Sequence, residues 1–189
     1  TTFFLDHDID TGRIIHQEAC EIADTDNVEV VYNRLMHMGA RMVMQTLDDV
    51  EANRVQPIAQ DDIPHGELHP APKIFRDTCR IDWGRHTVKS AYDFIRGLSP
   101  YPGAWTVMRD TQGSETVLKV FASEKQETET ETGEVDFNCA PQLCTDGGLL
   151  TVSMRGGRLL LTDIQLAGKR RMPAVDFMRG ARLDGVTIV

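Results

Sequence analysis

Asp6, Asp8 and Asp10 stand at alternate positions in Leu5-Asp6-His7-Asp8-Ile9-Asp10-Thr11-Gly12-Arg13-Ile14-Ile15. A carboxylate held in a loop between two strand-like runs can take a proton from a reacting group. Such loops carry chemistry because a rigid scaffold presents them. Asp-Thr-Gly is also good turn chemistry, since Gly12 tolerates positive φ. On spacing alone, Asp10 reads more simply as a turn aspartate. A second set of reactive types is Asp61, Asp62, His65, Glu67 and His69. His-x3-His holds a metal well only when a helix puts both rings on one face, and Pro64 and Gly66 oppose a helix. A solvated linker is expected there, and no metal site. Cys20, Cys79, Cys139 and Cys144 form no CxxC pair and read as free thiols. The third set is basic: Lys169, Arg170, Arg171, Arg179 and Arg182. Side chains of this kind position phosphates, even on an acidic protein, if they share a face.

The elements that must present these residues follow from pattern. Thr1–Leu5 and Ile14–Cys20 read as short strands flanking the aspartates. Val28, Val31, Leu35, Met38, Met42 and Leu47 recur at spacings of three to five, which predicts an amphipathic helix from Val28 to Asn53, broken or bent at Gly39. The methionines are expected to fill a core. Asn53–Lys73 has four prolines and no periodicity, and reads as a linker. A helix is predicted from Thr87 to Leu98, buried on Val88, Ala91, Tyr92 and Ile95 and ended by Gly97, with Pro100 and Pro102 forbidding continuation. Strands follow at Ala104–Arg109, Thr116–Ser123, Leu149–Met154 and Arg158–Gln165. A loop with Gly113 joins the first two, and Gly156-Gly157 signals a tight hairpin between the last two. Gln126–Glu134 reads as an acidic loop, and Pro173–Arg179 as a short last helix. Short strands, tight turns and flanking helices predict a small open barrel. Trp83 and Trp105 are expected to pack, with base stacking the less favoured reading.

Three segments resemble the folate-dependent formyltransferases. Asp10-Thr11-Gly12 with Arg13-Ile14-Ile15 is similar to that family's LDTG-x-I segment. Arg80-Ile81-Asp82-Trp83 and Ile95-Arg96-Gly97-Leu98-Ser99-Pro100-Tyr101-Pro102-Gly103-Ala104-Trp105 are similar to the junction and first helix of its C-terminal domain. Gln165-Leu166-Ala167-Gly168-Lys169-Arg170-Arg171-Met172 is similar to the near-terminal segment of members acting on methionyl-tRNA. The three lie in family order and span nearly the whole chain.

The resemblance implies an α+β chain. Residues 1–53 would be the C-terminal remnant of a Rossmann-like α/β formyltransferase domain, 54–73 a linker, and 74–189 an OB-like open β-barrel with flanking helices. It implies formyl transfer from 10-formyltetrahydrofolate to the amino group of initiator methionyl-tRNA, for translation initiation, without a metal. Asp10 would be the catalytic aspartate, with Leu5, Asp6 and Asp8 at the folate loop. Lys169, Arg170, Arg171, Arg179 and Arg182 would contact tRNA. The family's Asn-x-His pair and Ser-Leu-Leu-Pro loop do not occur before Thr1. The expectation is therefore a C-terminal portion, inactive alone, whose open α/β edge supports a dimer. Another folate formyltransferase or hydrolase, or a tRNA-binding module only, are the competing readings. The 189 residues suffice for one ordinary domain or two small ones. Hydrophobic content of 41%, no apolar run near the roughly 20 residues that span a bilayer, and no signal-peptide pattern make a cytoplasmic protein the expectation.

Overall fold

The computed structural model describes residues 1–64, 66, 67, 69–127 and 141–189. Its contacts separate two compact units: Thr1–Asp26 with Val30–Lys73, and Ile74–Val189 with Asn27–Glu29.

In the first unit, β1 (Thr2–Phe3) pairs antiparallel with β2 (Ile14–His16). Both are shorter than their apolar runs suggest. Ile14 also exchanges two backbone hydrogen bonds with Ile58, at 2.8 and 2.9 Å. This lays the proline-rich segment along the ribbon. Helix α1 (Val28–Glu51) runs without interruption through Gly39. An interior glycine costs about 1 kcal/mol relative to alanine, which a 24-residue helix with strong helix formers on both sides absorbs. Before it, Asp26 accepts from the Ala23 N–H and takes Arg34 in a two-pronged pair at 2.9 and 3.3 Å.

The face that α1 turns inward is narrower than the expected one. Met42 is buried, and Val31, Met38, Thr46 and Asp49 are half-buried. Val28, Leu35 and Leu47, expected inside, are exposed, as are Tyr32, Met36, Val43, Met44 and Val50. A helix apolar on several sides offers more than one stripe, and periodicity cannot choose between them. Polar contacts fix the stripe actually used. Thr46 and Thr2 hydroxyls bond at 2.8 Å, and His16 Nε2 lies 3.0 Å from Asp49 Oδ2.

In the second unit, α2 (Val88–Leu98) begins with a reciprocal cap between Thr87 and Ser90. Val88, Ala91, Ile95 and Leu98 are buried, with Tyr92 half-buried against the core. Gly97 lies inside the helix rather than ending it. The helix stops at Leu98, ahead of Pro100, whose ring and missing N–H forbid continuation as expected. A mixed helix and sheet architecture follows. The strands are β3 (Ala104–Arg109), β4 (Glu115–Glu127), β5 (Gln142–Cys144), β6 (Thr151–Met154), β7 (Gly157–Leu166), β8 (Met172–Pro173) and β9 (Thr187–Ile188). They form one antiparallel sheet in the order β5-β6-β7-β4-β3-β9, with β8 beside β7. The edges β5 and β9 approach each other, so the sheet curls almost to closure. Its core holds Ile81, Trp83, Leu118, Val120, Leu161 and Ile164 with the buried face of α2.

Met154 pairs Gly157 across Arg155-Gly156, and Gly156 takes φ 92° as the hairpin signal requires. Strand β4 continues through Gln126 to Glu127, so that part of the expected acidic loop is strand. Residues 128–134, Cys139 and His65 lie outside the described residues. Helix α3 is only Ala174–Met178, with Pro173 at its N-cap rather than inside its first turn. Strands β5, β8 and β9 span two or three residues each, too few to show a period.

Candidate functional site

The aspartate loop is built from backbone constraints at both ends. The Phe4 N–H donates to the Arg13 carbonyl at 3.0 Å and closes the loop on the β1–β2 ribbon. Gly12 is buried, and a Cβ there would stand 1.5 Å from the Phe4 carbonyl oxygen. Gly12 is thus required by close approach of two backbones. The positive φ that Gly12 would tolerate is taken instead by Asp10, at 59°. Aspartate tolerates that left-handed region better than most residues. The Thr11 hydroxyl donates to the Asp8 carbonyl at 3.1 Å, and the His7 N–H to the Asp6 carboxylate at 2.7 Å.

Gln60 adds the clamp that sequence reasoning missed. Its side-chain Nε2 donates to the Asp10 carbonyl at 2.7 Å and to the Gly12 carbonyl at 2.8 Å. No local pattern signals a contact between residues 50 positions apart. Leu5, Asp6, Asp8 and Asp10 line one shallow depression of about 250 Å³, with Phe3 and His7. All four are exposed, and Leu5 and Ile9 are about nine-tenths exposed. A shallow, carboxylate-rich and partly apolar recess can accept a proton and lie against a flat ring. Beneath the ribbon, Asp49 receives Arg54 Nε at 2.9 Å as well as His16. The Arg54 hydrogen bond, more than the His16 one, holds the Asp49 carboxyl below the usual carboxylate range. Among the described residues no group of three or more His, Cys, Asp or Glu side chains is arranged to hold a metal ion. Cys20, Cys79 and Cys144 are free thiols.

In the second unit the basic residues fall into two places. Lys169 and Arg170 are exposed on the turn between β7 and β8, where Gly168 takes φ 74°. Arg171 is spoken for: its guanidinium meets Asp163 at 2.7 and 2.9 Å and lies 4.4 Å from the Phe121 ring centre. Arg179, just after α3, pairs with Asp176 at 2.7 Å, and Arg182 is exposed beyond it. Lys169, Arg170 and Arg182 have no ion pair among the described residues. Trp83 is buried and donates to Thr106 at 2.8 Å. Trp105 is half-buried, donates to the Arg76 carbonyl at 2.9 Å, and has the Arg76 and Arg80 guanidinium carbons each 5.7 Å from a ring centre. Arg96 pairs with Asp93 of its own helix at 2.8 Å. Lys125 of β4, 4.8 Å from the Tyr92 ring centre, spans from sheet to helix.

Residues 73–182 match the family profile described as "Formyl transferase, C-terminal domain", and residues 1–47 that described as "Formyl transferase". A methionyl-tRNA formyltransferase of Bacteroides fragilis is 45% identical over 185 residues, covering 97% of this chain and 55% of its own length. One of Bacteroides thetaiotaomicron is 46% identical over 188 residues, with 97% and 56% covered. The chain therefore spans about half the length of the curated relatives it matches. Among solved structures, HypX from Aquifex aeolicus in complex with tetrahydrofolic acid aligns with TM-score 0.59 at 18% identity, over 97% of this chain and 30% of that one. That likeness is one of fold.

Proposed function

This chain belongs to the formyl transferase family, and from that premise we propose that it is the C-terminal part of an enzyme that formylates initiator methionyl-tRNA with 10-formyltetrahydrofolate. The observation that carries the reading is identity of 45% over 97% of the chain to proteins named for that activity. Residues 1–53 would close a Rossmann-like catalytic domain, 54–73 would link, and 74–189 would form an OB-like barrel. The setting would be the cytoplasm; among the described residues no helix is long and apolar enough to cross a membrane.

The chemistry needs a free amine to attack the formyl carbon. Negative charge then gathers on the formyl oxygen and the amine must lose a proton. Asp10 is the carboxylate offered for that proton, held by the Gly12 approach and the Gln60 clamp. Hydrogen-bond donors for the oxygen would come from the Asn and His of the family's preceding half. Leu5, Asp6 and Asp8 line the same recess and would border the folate ring. Lys169, Arg170 and Arg182 would position tRNA phosphates, with Arg171 and Arg179 contributing less because Asp163 and Asp176 already neutralise them.

The test is a chimera in which this chain replaces the matching region of the Bacteroides fragilis relative. Asp10→Asn should lower formyl transfer to methionyl-tRNA by about 10²- to 10⁴-fold while the protein stays folded. A near-normal rate removes Asp10 from the chemistry. Binding of initiator tRNA should weaken steeply with salt, and replacing Lys169, Arg170 and Arg182 with alanine should flatten that dependence. A salt slope unchanged by the triple substitution removes those three from the interface.

A further inference from the structure

We propose that Gln60 is the positioning residue for Asp10, and that an amide rather than a carboxylate at this place is what keeps the aspartate loop in its working conformation. The inference rests on the reading of Asp10 as the proton acceptor. A primary amide nitrogen carries two hydrogens. Here both are spent, one on the Asp10 carbonyl at 2.7 Å and one on the Gly12 carbonyl at 2.8 Å. These two carbonyls flank Thr11, so a single nitrogen fixes the turn that immediately follows the Asp10 side chain.

The turn gains from fixing, because Asp10 sits at φ 59°, a conformation that aspartate tolerates better than most L-residues but still at a cost relative to the right-handed and extended regions. Gln60 is itself held. Ile58, two residues earlier, exchanges both backbone bonds with Ile14 at 2.8 and 2.9 Å. Gln60 then opens a one-turn 3-10 helix closed by the Asp62 N–H on the Ala59 carbonyl and the Ile63 N–H on the Gln60 carbonyl. The clamp is therefore anchored to the same ribbon that bears the loop.

The chemistry of the clamp is asymmetric. An ionised glutamate at 60 would set oxygen against two carbonyl oxygens, and methionine would keep the length but donate nothing. In the chimera, Q60M should lower kcat about tenfold and leave the KM for methionyl-tRNA within twofold. Q60E should lose at least as much. The double variant D10N/Q60M should be no slower than D10N alone, because Gln60 acts through Asp10. A Q60M kcat equal to wild type overturns the proposal. So does a loss in KM alone, or a double variant slower by the product of the single losses. If D10N itself is near normal, the Asp10 reading fails instead, so the two failures are distinguishable. A readout free of catalysis uses the 189-residue chain. Q60M should speed hydrogen exchange at the Phe4 amide, which closes the loop, while the Ile14 amide bonded to Ile58 stays protected. Equal exchange at Phe4 in both proteins also overturns the proposal.

Discussion

At position 12 the deciding quantity is a distance. A methyl group there would overlap the Phe4 carbonyl oxygen at 1.5 Å, and the Phe4 carbonyl carbon is only 2.7 Å away. The neighbour is backbone in a closed ribbon, so it cannot rotate aside. Gly12→Ala must push the loop off Phe4 and break the Phe4–Arg13 hydrogen bond. The expected cost is on the order of 1–3 kcal/mol. A chemical-denaturation curve read on the first unit checks this, and an unchanged midpoint contradicts the close approach. Asp-Thr-Gly is legible in sequence because it joins a carboxylate to turn residues. The division of labour inside it is not. Composition assigns positive φ to glycine by default, whereas here Asp10 takes the left-handed conformation and Gly12 supplies space. Gln60 carries no local signal at all, since its partners lie across the fold. Arg171 shows the converse: its charge is legible, but its pairing with Asp163 and stacking on Phe121 depend on neighbours the sequence does not place together.

Elements are held where their ends are paired. The last turn of α1 is tied to β2 through Asp49, which accepts from Arg54 and His16. Its carboxyl is held below the usual range, so its ionised form is favoured in the folded chain. The sign follows: a depressed carboxylate contributes stability above its unfolded pKa of about 3.9, and that contribution is lost as pH falls through the lower folded value. Asp49→Asn should therefore lower the melting temperature at pH 6–7, with the gap to wild type closing as pH falls below about 4. A gap independent of pH contradicts the ion-pair account. In the second unit the Thr87 hydroxyl accepts from the Ser90 N–H at the start of α2. Thr87→Ala should cost about 1 kcal/mol in denaturant unfolding, and no change contradicts the cap. The helices and long strands are the legible part of the fold, since α2, β3, β6 and β7 follow apolar pattern and turn residues. Strands β5, β8 and β9 are set by pairing partners, which a two-residue window cannot reveal.

For the molecule as a whole, the imbalance lies on α1. Tyr32, Leu35, Met36, Val43, Met44, Leu47 and Val50 are exposed on one 24-residue helix. Phe4, Leu5 and Ile9 are exposed on the aspartate loop of the same unit. Exposed apolar side chains drive association in water at about 25 cal/mol per Å² removed. Net charge of −9 opposes it, but salt screens that repulsion beyond about 10 Å at 0.1 M. The 189-residue chain is therefore expected to self-associate as its concentration rises, and more so as salt is added. Sedimentation velocity over a concentration series checks this. Leu47→Glu with Val43→Glu, both at exposed positions, should return the chain to a monomer without loss of helix signal. A wild-type chain that stays monomeric at high concentration and high salt shows that the α1 surface does not drive association. Association weakened by salt assigns the contact to charge instead of apolar burial.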